Sequence, residues 1–481
     1  MSTVDESASR RTALLSPPAA LSWGPVTIVL IGAFMAILDS FIVIVAGPAI
    51  QADLGASDAE LQWILAGYQL AHAVFLITGG RLGDLYGRRR AFIGGMAVFT
   101  LASVACAVAQ TPTGLIVARL VEGLGAALML PQVYALITVL VPERERHRAF
   151  SALGVVMGLA TVGGLLVGAD LLGSGWRPVF WINIPVGIVA VLLAARYVPE
   201  SRAPHGRRLD LPGVAVLSVT LFLLAFPLIQ GRHAGWPWWT WSCLAASLLG
   251  FALFIALERR TASLGGDPLV RMSLFRTRSF SVGILLVLAT YTVITSYHLV
   301  LSIALQDGLG MSALGAGLVY TPAAVTFFLF SLIAGRLVPR YGRRVLAAGA
   351  IVLALGYAST AVVLTCGLPF RPAVVIPTLM VQSAGGGLLI TPSLGAVLAR
   401  IGPADAGIAS GVLSTAQQVG AALGVAIIGV VFFHSFAPAG GRSAAAHALA
   451  VSSVATLVTA LVAAALIRLL PDDRHSVADR A

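Results

Sequence analysis

The chain has 481 residues, 58% of them hydrophobic and only 11% charged, with 31 basic against 20 acidic side chains for a net +11. A soluble globular protein carries about 25% charged residues, so this composition excludes a water-soluble domain over most of the length. Every basic residue is arginine, which together with heavy Ala, Gly and Val use suggests a GC-rich bacterial genome. The arginines are spread over many loops, which excludes a nucleic-acid-binding surface.

The opening residues 1–22 are polar and lack an apolar core ahead of a small-residue cleavage site. They predict a cytoplasmic tail, not a cleaved signal peptide. A helix needs about 20 apolar residues to cross the hydrocarbon core, and fourteen such runs follow. They lie near 25–46, 61–80, 91–109, 114–140, 150–172, 179–197, 211–230 and 239–257, and then near 280–303, 314–338, 345–366, 373–398, 407–433 and 446–469. No run alternates with period two, so helices and not a barrel are expected. Cys106, Cys243 and Cys366 stand alone inside apolar runs, without metal or redox spacing, and read as small buried hydrophobes.

Arginine falls on alternate loops. Arg10 and Arg11 precede the first span, Arg81, Arg88, Arg89 and Arg90 follow the second, and Arg144, Arg146 and Arg148 follow the fourth. The same alternation continues to Arg474 and Arg480 after the last span, while the intervening loops carry little beyond Arg177, Arg232, Arg371 and Arg442. By the positive-inside rule both termini are cytoplasmic, which requires an even number of spans.

One loop repeats. "GRLGDLYGRRR", Gly80–Arg90, follows the second span, and "GRLVPRYGRRV", Gly335–Val345, follows the tenth at a constant offset of 255 residues. The repeat predicts six spans, an inserted pair, and six spans again. The expected divisions are a tail over 1–22, a six-helix half over 23–200, the inserted helices over 201–279, a second half over 280–470 and a tail over 471–481. Parallel halves facing each other across a cavity are the plan of many secondary transporters.

Ionisable groups at bilayer depth cost about 2.5–3.5 kcal/mol each on insertion scales and mark functional sites by default. Asp39 lies well inside the first span. Arg119 and Glu122 share one face of the fourth, a turn apart. A neighbouring cation favours the charged carboxylate and burial favours the neutral one, a balance suited to taking up and releasing protons. Among the other intramembrane groups, Tyr68, His72, His298, Gln382 and Gln417 are candidates for a substrate cavity. Hydrogen bonding between helices, the commoner use, is the alternative for Gln69, Asn183, Gln382, Gln417 and Gln418. Trp63, Phe327 and Phe328 could wall the cavity or simply pack.

The Gly80 loop resembles the signature loop of the major facilitator superfamily, G-x-L-a-D-x-x-G-R-R-x. "LDSFIVIVAGPAI" (Leu38–Ile50), "ARLVEGLGAALMLP" (Ala118–Pro131), "GWRPVFWINIPVG" (Gly175–Gly187) and "AGIASGVLSTAQQVGAALGVAI" resemble motifs of its fourteen-helix drug:proton antiporter branch. The resemblance implies an all-α polytopic membrane protein with two six-helix halves plus two inserted helices. It implies no enzyme activity and no cofactor or metal. The expected function is proton-coupled efflux of small hydrophobic or cationic compounds, with protons, a small-molecule substrate and the lipid bilayer as partners. The chain is expected to act as a monomer in a bacterial cell membrane, and a dedicated metabolite exporter or importer of the same fold is the alternative.

The same resemblance gives Arg119 a part in proton coupling and makes Asp39 the candidate titrating carboxylate. Glu122 stands where the family usually has Gln, and is a second carrier, a cation-binding group or Arg119's partner. Gly80, Asp84, Gly87, Arg88 and Arg89 would form a conformational latch, with Asp84 meeting a helix N-terminus and basic partners from the other half. The second copy has Pro339 where Asp84 sits and cannot make that contact. Leu159 and Ala160 replace the branch's Gly-Pro in the fifth span, so no proline bend is expected there.

Overall fold

The computed structural model describes residues 23–171, 175–202, 209–231, 235, 237–398, 401–402, 405–436 and 441–470; both expected tails, 1–22 and 471–481, lie outside them. Fourteen helices among these residues are long and apolar enough to cross a membrane. Their main segments are α1 (Trp23–Leu54), α2 (Asp58–Tyr86), α3 (Arg88–Ala107), α4 (Pro112–Leu140), α5 (Arg146–Leu171), α6 (Asn183–Tyr197, whose span begins with the short helix Pro178–Trp181) and α7 (Leu211–Gln230). There follow α8 (Trp238–Ser263), α9 (Arg278–Ile303), α10 (Thr321–Tyr341), α11 (Arg343–Thr365), α12 (Pro372–Leu398), α13 (Ala406–Ser435) and α14 (Gly441–Leu469).

Several helices outrun the apolar stretches that announce them, because backbone hydrogen bonding continues past the point where side chains turn polar. The run near 314–338 is instead divided. A short helix, Ala313–Val319, precedes α10, and Pro322 sits in the first turn after the break. Proline donates no amide hydrogen and suits a helix start. The fifth span is one unbroken helix, as its missing proline suggests.

The sequence repeat becomes a repeat of packing. In the first half α4 lies against α2 and α3, α1 against α5, and α6 against α3 and α1. In the second half α12 lies against α10 and α11, α9 against α13, and α14 against α11 and α9, so every partnership recurs eight helices later. The halves meet along two seams, α2 and α4 on α13, and α10 and α12 on α5. Glycines permit the closest crossings. A Cβ on Gly123 would overlap the Tyr68 carbonyl, and one on Gly385 would overlap the backbone of Leu353.

The inserted helices pair with each other. α7 also lies on α2 and α13, bridging one seam, while α8 is the least buried of the fourteen. Trp63 of α2 stacks on Phe226 of α7 with ring centroids 5.8 Å apart, so this aromatic packs and does not wall a cavity. Burial of the cysteines holds for Cys106 but not for Cys366, which is exposed where α11 ends, with Cys243 between the two.

Candidate functional site

The close crossing of α2 and α4 at Gly123 carries Arg119 into the interior of the first half, where it is fully buried. Its NH1 donates to Asp39 Oδ2 at 2.6 Å and to Glu122 Oε2 at 2.7 Å, and its Nε donates to the Ile64 carbonyl at 3.3 Å. The guanidinium lies 4.6 Å from the centre of the Tyr68 ring, a cation–π contact. Asp39 Oδ1 accepts from Asn183 Nδ2 at 3.0 Å, and that same nitrogen donates to Ser103 Oγ. Cys106 Sγ donates to Glu122 Oε2 at 3.5 Å. Glu122 Oε1 is buried and has no hydrogen-bond partner. One guanidinium thus faces two carboxylates where water is excluded. With both carboxylates ionised the cluster carries a net negative charge, and one added proton makes it neutral.

The corresponding helices of the second half build a neutral counterpart. Tyr297 of α9 donates to Thr360 of α11 at 3.3 Å, and Thr360 donates to Thr378 of α12 at 2.9 Å. Gln382 donates to Thr360 at 3.1 Å, and Ser453 of α14 completes the set beside Tyr297. α1, α2, α3, α4 and α6 supply the charged cluster, and α9, α11, α12 and α14 supply the neutral one. Among the described residues the buried ionic cluster therefore belongs to the first half, and its counterpart in the second half is uncharged.

The five candidate cavity residues do not converge. Tyr68 belongs to the charged cluster and Gln382 to the neutral one. His72 Nδ1 lies 2.9 Å from Gln418 Nε2 across the α2–α13 seam. Gln417 accepts from Tyr134 at 3.4 Å and donates to Tyr291 at 3.0 Å, tying α4 to α9 through α13. His298 sits on an exposed face of α9, its ring 5.2 Å from that of Tyr320.

At the arginine-rich end Asp84 crosses between halves. Its Oδ1 accepts from the Gly407 amide at 3.0 Å and its Oδ2 from the Ile408 amide at 2.9 Å, both in the first turn of α13. These amides have no partner within the helix, and a carboxylate there is also favoured by the helix dipole. Arg88 Nε donates to Asp84 Oδ1 at 3.1 Å, with both side chains buried. A Cβ on Gly80 would overlap the Gly407 carbonyl, so the contact requires glycine. Gly87 turns the chain at φ 110°, a left-handed value that favours glycine. Arg89 and Arg90 lie 3.7 Å from Glu200, a partner that the loop's own sequence does not reveal. In the second copy Pro339 lies inside α10, and Arg343 donates to the Leu470 carbonyl at 3.1 Å.

At the opposite end Asp53 accepts from Trp176 Nε1 at 2.9 Å and from Arg177 NH1 at 2.7 Å. These two donors, the indole first, hold its carboxyl below the usual carboxylate range. A lowered value means the clip contributes fully above the ordinary carboxylate value near 3.8 and is lost as pH falls through the lowered one. Asp53→Asn should therefore lower the melting temperature slightly at neutral pH, with the difference from wild type shrinking as pH falls below the ordinary carboxylate value; a difference that does not change with pH would contradict it.

Two halves of one design, joined along seams and holding an ionic cluster at bilayer depth, define a membrane transporter. The chain belongs to the Major Facilitator Superfamily, whose family model matches residues 29–425 and 283–480. It is 39% identical over 431 residues to the probable actinorhodin transporter of Streptomyces coelicolor, covering 88% of this chain and 74% of that protein. It is 36% identical to the cephamycin export protein CmcT of Amycolatopsis lactamdurans, covering 82% of each. With the tetracenomycin C resistance and export protein of Streptomyces glaucescens it shares 33% identity over 85% of this chain and 76% of that one. Among solved structures the human organic anion transporter MFSD10 superposes with a TM-score of 0.67 at 16% identity, covering 92% of this chain and 99% of that chain. At that identity the likeness concerns the fold alone.

Proposed function

We propose that the protein is a proton-coupled exporter of small hydrophobic or cationic compounds, working by alternating access with its arginine-rich end and both termini in the cytoplasm. The names of the relatives support export of antibiotics, and the distribution of arginine supports the orientation. The single observation that carries the coupling is the orphaned Glu122 Oε1 beside a fully engaged Asp39. A buried carboxylate oxygen without a donor is costly, and a proton on it removes the cost. The reading therefore puts the travelling proton on Glu122 and makes Asp39 the fixed counter-ion of Arg119. Neutral, the cluster suits the passage between states; anionic, it attracts a cationic substrate. Such coupling amounts to a difference in proton affinity between the two states. The Asp84 latch closes the cytoplasmic side until the halves rock.

The test is efflux of a fluorescent substrate by energised everted vesicles, with and without a protonophore. Wild-type transport should collapse with the protonophore. Glu122→Gln should retain substrate exchange down a gradient but lose uphill transport by about tenfold or more. Uphill transport by Glu122→Gln at the wild-type rate would refute the assignment.

A further inference from the structure

The inserted helices meet at an acidic pair, Glu258 buried and Asp210 half-buried, that the transport cycle just described leaves unused. Asp210 caps α7, its Oδ1 accepting from the Gly213 amide at 3.0 Å. Glu258, near the end of α8, is fully buried, and its Oε2 accepts from the Val270 amide at 2.8 Å. The other two oxygens, Asp210 Oδ2 and Glu258 Oε1, are shut from solvent without a donor. A Cβ on Gly213 would lie 2.8 Å from the first and 2.6 Å from the second, so both point into the space that this glycine leaves open. Two carboxylates in one buried site resist joint ionisation. A single proton between them supplies the missing donor and joins the two carboxyls by a hydrogen bond.

The pair sits against the latch. Arg81, buried one residue beyond Gly80 of α2, is close enough for its charge to act on Glu258. α7 lies on both α2 and α13, the two helices that Asp84 joins. The loop after α8 carries Asp267 and Arg271, and Arg271 reaches Asp405 at 3.2 Å, two residues before Gly407. Among the other described charges nearby, Arg88 is engaged by Asp84, and Arg259 and Arg260 are exposed.

We propose that Asp210 and Glu258 form a second proton-binding site, which holds the inserted helices against the latch while they share one proton. The singly protonated pair carries one negative charge opposite Arg81. When the proton leaves for cytoplasmic water the pair carries two, the carboxylates repel, and α7 loosens its hold on α2 and α13. Alkaline pH on the arginine-rich side then favours opening there. The inference rests on alternating access and on the orientation given above, not on which carboxylate of the Arg119 cluster moves the transported proton.

The experiment uses full-length protein in nanodiscs, spin-labelled at Arg148→Cys on α5 and Tyr341→Cys on α10, with Cys243 and Cys366 replaced by serine. Distances across the arginine-rich end are measured from about pH 6 to about pH 9. The wild-type distribution should shift towards longer distances as pH rises. Glu258→Gln and Asp210→Asn, each of the same shape as the native residue and each keeping its amide acceptor, should lose that shift and stay closed. Glu122→Gln should keep the shift while losing uphill transport, which separates the two sites. A wild-type distance indifferent to pH overturns the proposal. So does a Glu258→Gln profile that superposes on wild type, or a shift abolished by Glu122→Gln alone. If Glu258→Gln fails to fold, Asp210→Asn decides by the same criteria.

Discussion

Arg119→Met is expected to abolish transport and to lower the melting temperature well below that of wild type. The substitution leaves Asp39 Oδ2 and Glu122 Oε2 with no cation between them and removes a second donor from the Ile64 carbonyl. Removing one partner from a buried ionic set costs about 3–5 kcal/mol, because the remaining charge stays buried and uncompensated. The loss should be largely repaired in the triple variant Arg119→Met, Asp39→Asn, Glu122→Gln, since apolar or neutral replacements of whole buried ion sets are often tolerated. Transport should stay dead in the triple variant, whose Arg119 cluster has no carboxylate left to carry the transported proton. Thermal melting of the detergent-purified proteins, beside efflux in vesicles, checks both statements. A single variant that melts with wild type would show that the carboxylates find another partner or take up protons at no cost.

The second large effect concerns the latch. Asp84→Asn removes the negative charge that two backbone amides of α13 and the buried Arg88 share. Hydrogen bonds to a charged group are each worth about 1.5–3 kcal/mol, so the closed arrangement at the arginine-rich end should lose much of its advantage. Ser410, fully buried on α13, reports on this opening. A cysteine placed there should react with a membrane-impermeant maleimide at least about tenfold faster in the Asp84→Asn background, and efflux should fall in parallel. Unchanged labelling together with unchanged efflux would reduce the loop to a topological signal.

The neutral network of the second half bears on both results. If charge is confined to one half, a cationic substrate and a proton compete on one side of the transport path. The other half can then serve as a rigid wall against which the first half moves. Tyr297, Thr360, Thr378 and Gln382 bond to one another and to helix carbonyls at Gly356 and Val375, which suits that rigid part.

Much of this protein is legible before any tertiary structure. Lipid sets the cost of each residue almost independently of its neighbours, so fourteen apolar runs become fourteen helices, and Asp39, Arg119 and Glu122 stand out as costly wherever they point. The repeat from Gly80 and Gly335 survives in one dimension because both turns need the same glycines, seen in the left-handed φ of Gly87 and Gly342. Pro322 marks the division of the tenth span in the same local way.

What the sequence could not decide is which polar atoms are left over. Asn183 reaches Asp39 across 144 residues and Asp84 reaches Ile408 across 324, so neither partnership leaves a local pattern. Cys106 looks like a small hydrophobe until packing sets its sulfur beside Glu122. The candidate cavity residues were chosen as polar groups in apolar runs, a property that helix–helix hydrogen bonds share, and only the assembled halves separate the two uses. The orphaned oxygens of Glu122, Asp210 and Glu258 are visible only once every nearby donor has been placed. Spans, repeat and charge at depth follow from single residues in lipid, whereas proton sites follow from donors and acceptors that distant helices bring together or fail to bring.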